Sequence, residues 1–230
     1  MAMKTKGESG ICKIPVVGSL PTIASERREF IVKKCYVDLE TTGLNPWVDG
    51  DGKNDKGVIL SAGFILETGN EAQVIITPTE EEWGYANPIA LEVNGMEWEY
   101  LVKFGVPFAD AVTFICDWLA DNEVTSDEWV FMAQNAPFDR KFLEHFMGDW
   151  LKFANAPETW VDFIPIYKDI GFKLGLNVRK QNTHHISQQL GVPEEPKPHE
   201  AIEGARALKR NRDELKSRAE KEGIAWPERG

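Results

Sequence analysis

The stretch Tyr36-Val37-Asp38-Leu39-Glu40-Thr41-Thr42-Gly43-Leu44 constrains this chain more than any other. It follows the apolar, β-branched lead-in Phe30-Ile31-Val32, so residues from about 30 to 39 predict a strand running into a glycine-containing turn. Side chains alternate along a strand, which sends Asp38 and Glu40 to one face and Val37 and Leu39 to the other. Two carboxylates so close on one face need a counter-charge or water. A hard divalent cation is the simplest counter-charge, because magnesium and manganese prefer oxygen ligands. An edge strand displaying two solvated acids satisfies the same pattern, and both readings stand at this point.

The 230 residues, with eight Trp and twelve Phe, suffice for one well-buried domain. A formal net charge of −11 argues against sequence-independent binding of nucleic acid through a broad basic surface. It leaves room for an enzyme that meets phosphates through bound cations. Cys12, Cys35 and Cys116 are odd in number and form no Cys-x-x-Cys pair, so neither a zinc knuckle nor a disulfide framework is expected and reduced, mostly buried thiols are. No apolar run approaches the roughly 20 residues that span a bilayer. Lys13 and Pro15 interrupt the apolar stretch near the N-terminus, which removes a secretory signal. The expectation is a soluble, cytoplasmic protein with no membrane partner.

Residues 1–28 show no sustained period and read as an extension, 29–222 as the folded domain and 223–230 as a tail. After the first turn, Asp49, Asp51 and Asp55 invite a calcium-loop reading, but Lys53 takes a ligand position and the spacing fails the EF-hand template. Residues 58–66 and 73–77 predict a hairpin through Glu67-Thr68-Gly69-Asn70, giving three consecutive antiparallel strands with Pro78 ending the third. Residues 79–104 read as irregular to helical, with Trp83, Trp98 and Tyr100 against the sheet. Apolar residues at Val112, Ile115, Trp118 and Leu119 make 108–122 an amphipathic helix, and Trp129-Val130-Phe131-Met132-Ala133 a short buried strand.

Asn135-Ala136-Pro137-Phe138-Asp139 carries helix-start residues directly after that strand, which puts Asp139 in the first turn. In open α/β sheets ligands bind at the carboxyl ends of strands, and a first-turn acid also complements the helix dipole. Further helices are expected over 160–170, 183–190 and 200–221. Lys173, Arg179 and Lys180 make the intervening loop, 171–180, locally basic, suited to phosphates or simply solvated. His184 and His185, at a helix start, read as structural.

Three stretches now fall in order: Asp38-Leu39-Glu40-Thr41-Thr42-Gly43-Leu44, Asn135-Ala136-Pro137-Phe138-Asp139 and His199-Glu200-Ala201-Ile202-Glu203-Gly204-Ala205. Together they resemble the motifs of the DEDDh superfamily, 3′-to-5′ exonucleases that include polymerase proofreading subunits and ribonuclease T, over roughly residues 30–212. The resemblance implies an α/β, RNase H-like fold with a mixed central sheet flanked by helices. It implies that Asp38 and Glu40 bind two divalent cations, Mg2+ or Mn2+, with Asp139 completing part of the cluster and His199 as general base. Asn94-Gly95-Met96 resembles the family's substrate-side loop; Phe138 and Met96 are candidates to grip a terminal base, and Thr41, Leu44, Asn94 and Asn135 complete the candidate substrate contacts. Asp162 resembles a structural position. The implied partners are single-stranded 3′ ends of DNA or RNA, with a homodimer or recruitment by a replication, repair or RNA-processing protein as further expectations.

Gly204 departs from that pattern. It stands five residues after His199, where the family carries its last metal-binding aspartate. Glu203 is the candidate substitute ligand, but one residue along a helix is a turn of about 100°. Three carboxylates under-compensate two divalent cations that four would balance, so the resemblance implies weakened occupancy of at least one metal. Two functional readings stay open: an exonuclease impaired by Gly204, and a catalytically inactive module that keeps the fold and binds nucleic-acid ends or a protein partner.

Overall fold

In the computed structural model, the acidic stretch is the middle of a sheet. Strand β1 (Lys33–Thr41) lies between β2 (Ile59–Leu66), which pairs with it antiparallel, and β4 (Trp129–Ala133), which pairs with it parallel. With β3 (Glu71–Ile75) on β2 and β5 (Trp160–Asp162) on β4, the order is β3-β2-β1-β4-β5. The edge-strand reading of the two acids is thereby overturned. The structure describes residues 32–46, 56–196 and 199–227. The extension at 1–28, the lead-in Phe30-Ile31, the loop acids Asp49, Asp51 and Asp55, Cys12 and the end of the tail lie outside these.

Eight helices complete the described residues. Three short ones, α1 (Glu80–Gly84), α2 (Pro88–Asn94) and α3 (Trp98–Phe104), connect β3 to α4 (Phe108–Asp121). Helix α5 (Ala136–Phe153) follows β4, α6 (Phe163–Lys173) follows β5, and α7 (Thr183–Leu190) and α8 (Ala201–Lys221) close the chain. Alternation along β1 sets the two cores. Cys35, Val37 and Leu39 face α4 and α5, packing with Val112, Ile115, Leu119, Phe142 and Leu143. Tyr36, on the face shared by Asp38 and Glu40, packs with Phe163, Ile170, Ile186, Ile202 and Leu208 from α6, α7 and α8. Each fully buried side chain of this kind contributes roughly 1.5–3 kcal/mol over an exposed one.

Several boundaries differ from the sequence expectation for local reasons. β1 continues through Thr41, with a register irregularity between Glu40 and Thr41, so Glu40 belongs to the strand. β3 ends at Ile75 because Ile76 bridges to Val106. Trp160–Asp162 is a strand before the helix, too short to show a period of its own, and Lys173 is still helical, ion-paired to Asp169 one turn earlier at 2.7 Å. Trp83 and Trp98 pack on each other with ring centroids 5.6 Å apart, whereas Tyr100 is exposed and lies against Phe104 rather than the sheet. Cys35 is fully buried and Cys116 half-buried.

The first turn of α8 lies directly on β2. A Cβ at Gly63 would sit 2.4 Å from the backbone carbonyl of Ala201, so only glycine permits this approach, and Gly63 is the register partner of Asp38. Gly63→Ala should therefore force the helix off the sheet and destabilise the protein by about 1–3 kcal/mol, the usual cost of overpacking. Urea unfolding followed by circular dichroism measures this; an unchanged midpoint would show that the contact yields without strain.

Candidate metal centre

Asp38 and Glu40 point from β1 toward the α8 side, into a cleft of about 660 Å³ lined also by Val93, Asn182, Thr183, Glu195 and His199. Asp139 enters from the first turn of α5, where its side chain is almost fully buried. Backbone N–H groups of Asp139 itself and of Leu39 hydrogen-bond its carboxylate. His199 comes from the segment between α7 and α8, with its Nδ1 2.8 Å from Glu195 Oε1. Glu40, Glu195 and His199 each offer a donor atom within 4.8 Å of the others.

The electrostatics are those of negative charge held against itself. Burial pushes Asp38 well above the ordinary carboxylate range, with Asp139, Glu40 and Glu195 adding to the shift. Burial likewise raises Glu40 to about 7, Glu195 adding and His199 opposing. Asp139 is also raised, chiefly by burial and against its backbone hydrogen bonds, with Glu40 and Asp162 contributing. None of the three forms an ion pair with Lys or Arg among the described residues. Carboxylate oxygens gathered without a Lys or Arg partner among the described residues fit a hard divalent cation, which would remove the repulsion.

The other residues singled out in the sequence divide into those near the cleft and those tied elsewhere. Gly204 lies on the α8 face against Asp38: a Cβ there would fall 2.2 Å from Asp38 Oδ2, so the Asp38 carboxylate fills the space a side chain would need. Glu203 is not brought to the cluster; Arg206 holds its carboxylate and also pairs with Glu71. Met96 is buried with Val58, Leu60 and Leu101 and offers no surface to a base. Val93, one residue before the end of α2 and exposed, lines the cleft instead.

Asn94 is buried and structural in its bonding. Its Nδ2 donates to the Thr41 carbonyl at 3.2 Å and its Oδ1 accepts from the Met96 N–H at 3.0 Å. The Thr41 hydroxyl donates to the Gly43 carbonyl at 2.7 Å. Leu44 and Asn135 are exposed, and Phe138 is half-buried with its ring 5.1 Å from that of Phe142. Asp162 is the N-cap of α6, accepting from the Ile164 N–H at 3.0 Å. His185 meets the Asn177 carbonyl at 3.0 Å, whereas His184 lies on the cleft wall, 2.7 Å from Glu194. Sequence reasoning missed Glu194 and Glu195; the available signal was their place between Pro193 and Pro196, five and four residues ahead of the motif histidine.

No family model matches the chain, and no curated protein matches it. Solved structures do. The nuclease domain of 3′hExo, described as a DEDDh family member bound to rAMP, aligns with a TM-score of 0.60 at 14% identity, covering 86% of this chain and 96% of that one. Exonuclease I of E. coli in complex with a dT13 oligonucleotide aligns at 0.65 and 14%, covering 84% and 42%. Exonuclease I from Methylocaldum szegediense aligns at 0.64 and 14%, covering 83% and 41%. The chain spans about two-fifths of the exonuclease I proteins. The fold is thus the RNase H-like α/β fold of the DEDDh exonucleases, a mixed five-stranded sheet flanked by helices.

With its folded-state pKa raised from 4.5 to about 7, Glu40 favours folding while it is protonated. That contribution is complete below 4.5 and is lost as pH rises through about 7; Asp38 and Asp139 act in the same direction. The metal-free protein should therefore lose thermal stability across this window, by an amount on the order of several degrees in Tm. Saturating Mn2+ should flatten the slope, and Glu40→Gln should reduce it in the metal-free protein. Melting curves in chelator and in Mn2+ check this, and a metal-free Tm that rises with pH would contradict it.

Proposed function

We propose that this chain is a metal-dependent 3′-to-5′ exonuclease that hydrolyses phosphodiester bonds at single-stranded 3′ ends of DNA or RNA. The observation that carries the reading is the convergence of Asp38, Glu40 and His199 on one cleft, with buried Asp139 close enough to act electrostatically on the first two. Asp38, Glu40 and Asp139 would hold Mg2+ or Mn2+. Two such cations, when bound, supply Lewis-acid stabilisation of the charge developing at the phosphate.

His199 has the chemistry to take a proton at Nε2 from the attacking water, imidazole being the side chain most often used as a general base. The Glu195 carboxylate at Nδ1 favours the tautomer with its proton on Nδ1 and a lone pair on Nε2. Exposed Val93 and Leu44 offer apolar surface to a splayed terminal base.

A second reading rests on Gly204, which brings no carboxylate to Asp38: a catalytically inactive module that binds 3′ ends or a protein partner. Incubation with Mn2+ and 3′- or 5′-labelled single-stranded oligonucleotides separates the two. The exonuclease reading expects stepwise loss from the 3′ end, reduced roughly 10²- to 10⁴-fold in His199→Ala, the usual contribution of a general base. Oligonucleotide binding by this chain without shortening would establish the inactive module.

A further inference from the structure

We propose that Glu195 is the fourth carboxylate of the metal centre, delivered by the segment between α7 and α8 in place of a ligand from α8. The inference rests on the reading of the cluster as a metal site and assigns a residue outside the three motifs. Its first support is at Gly204. The helix contributes no side chain there, and the space where one would begin is taken by the Asp38 carboxylate, 2.2 Å from the Cβ position. The neighbouring acid, Glu203, is held by Arg206, which Glu71 also engages.

The second support is the geometry of Glu195. Its side chain is 7% exposed and sits on the cleft wall with Asp38 and Glu40. Donor atoms of Glu40, Glu195 and His199 lie within 4.8 Å of one another. Oxygen ligands of a six-coordinate Mg2+ or Mn2+ at about 2.1 Å are roughly 3 Å apart when adjacent and 4.2 Å when opposite, so a small contraction brings Glu40 and Glu195 onto one ion with His199 beside it. With Asp38, Glu40 and Asp139, Glu195 raises the carboxylates to four, whose charge balances two divalent cations.

The segment is built to hold that position. Pro193 and Pro196 flank the two glutamates, which fixes backbone torsions and keeps Glu195, the residue before a proline, extended. Glu194 Oε2 lies 2.7 Å from His184 Nδ1, tying the segment to the start of α7.

Glu195→Gln tests the role selectively, because glutamine keeps an oxygen that can accept from His199 Nδ1 while losing the charge and the ligand strength. Mn2+ titration by calorimetry, without nucleic acid, should show two ions on the unaltered chain and at least one bound about tenfold or more weakly in Glu195→Gln. Circular dichroism confirms that the variants are folded. Unchanged Mn2+ affinity in Glu195→Gln overturns the proposal, and a loss of nuclease rate at unchanged affinity would assign Glu195 to positioning His199 instead. Failure of the unaltered chain to bind Mn2+ would overturn both this inference and the exonuclease reading. Mn2+ binding through Glu195 without degradation would overturn the exonuclease reading alone.

Discussion

The distance between α8 and the sheet is the constraint on which the rest of this site depends. Two glycines set it. Gly63 lets the backbone of Ala201 lie against β2, and Gly204 lets the Asp38 carboxylate lie against the helix. A helix this close places the chain immediately before it, including His199, over the carboxyl-terminal half of β1. The same approach seats Ile202, Ala205 and Leu208 on Tyr36 and Ile65. Packing and chemistry are therefore coupled through one contact: anything that lifts α8 moves the imidazole away from Glu40 as well as opening the core.

The charge distribution turns that packing into a binding preference. A chain of net charge −11 attracts no polyanion by its overall field, and several of its described basic side chains are paired with acids. Lys173 pairs with Asp169, Arg140 with Glu144, Lys209 with Asp213 and Arg218 with Glu214. The cleft itself holds carboxylates raised chiefly by burial, with mutual repulsion adding to it. A phosphate enters such a site favourably only with cations already in place, which makes ion binding a precondition for recognition on this reading and excludes adventitious anions from the metal-free protein.

How much of this was legible in the sequence follows from how local each signal is. The shared face of Asp38 and Glu40 needs only the two-residue period of a strand, and it was read correctly. The hairpin, the strand Trp129–Ala133 and helix α7 were equally plain, because turn residues or apolar periodicity mark each within a few positions. β5 has three residues and derives its identity from pairing with β4, which no local pattern records. Met96 is a substrate candidate only through the resemblance of Asn94-Gly95-Met96 to a family loop, yet it fills a small core with Leu60 and Leu101. Glu203 and Glu195 show the same limit in opposite directions. Glu203 lies inside a motif and is drawn off by Arg206, whose other partner is far away in sequence; Glu195 lies in a proline-flanked segment without periodicity and reaches the cleft through the path of the backbone.

Moving a ligand from a helix to a loop changes what holds the site together. A carboxylate on α8 would be fixed by the helix and by the core beneath it, so its position would cost little ordering when an ion binds. Glu195 instead depends on two prolines, on the Glu194–His184 contact and on its own bond to His199. On the Glu195 assignment, metal affinity and the orientation of the general base share one short segment. An ion held by Glu195 and Glu40 would then share its ligand with the hydrogen bond that orients His199, so metal affinity and base orientation would be coupled. The two glycines make this arrangement possible, since a side chain at 204 would displace the Asp38 carboxylate that an ion shared with Glu195 requires.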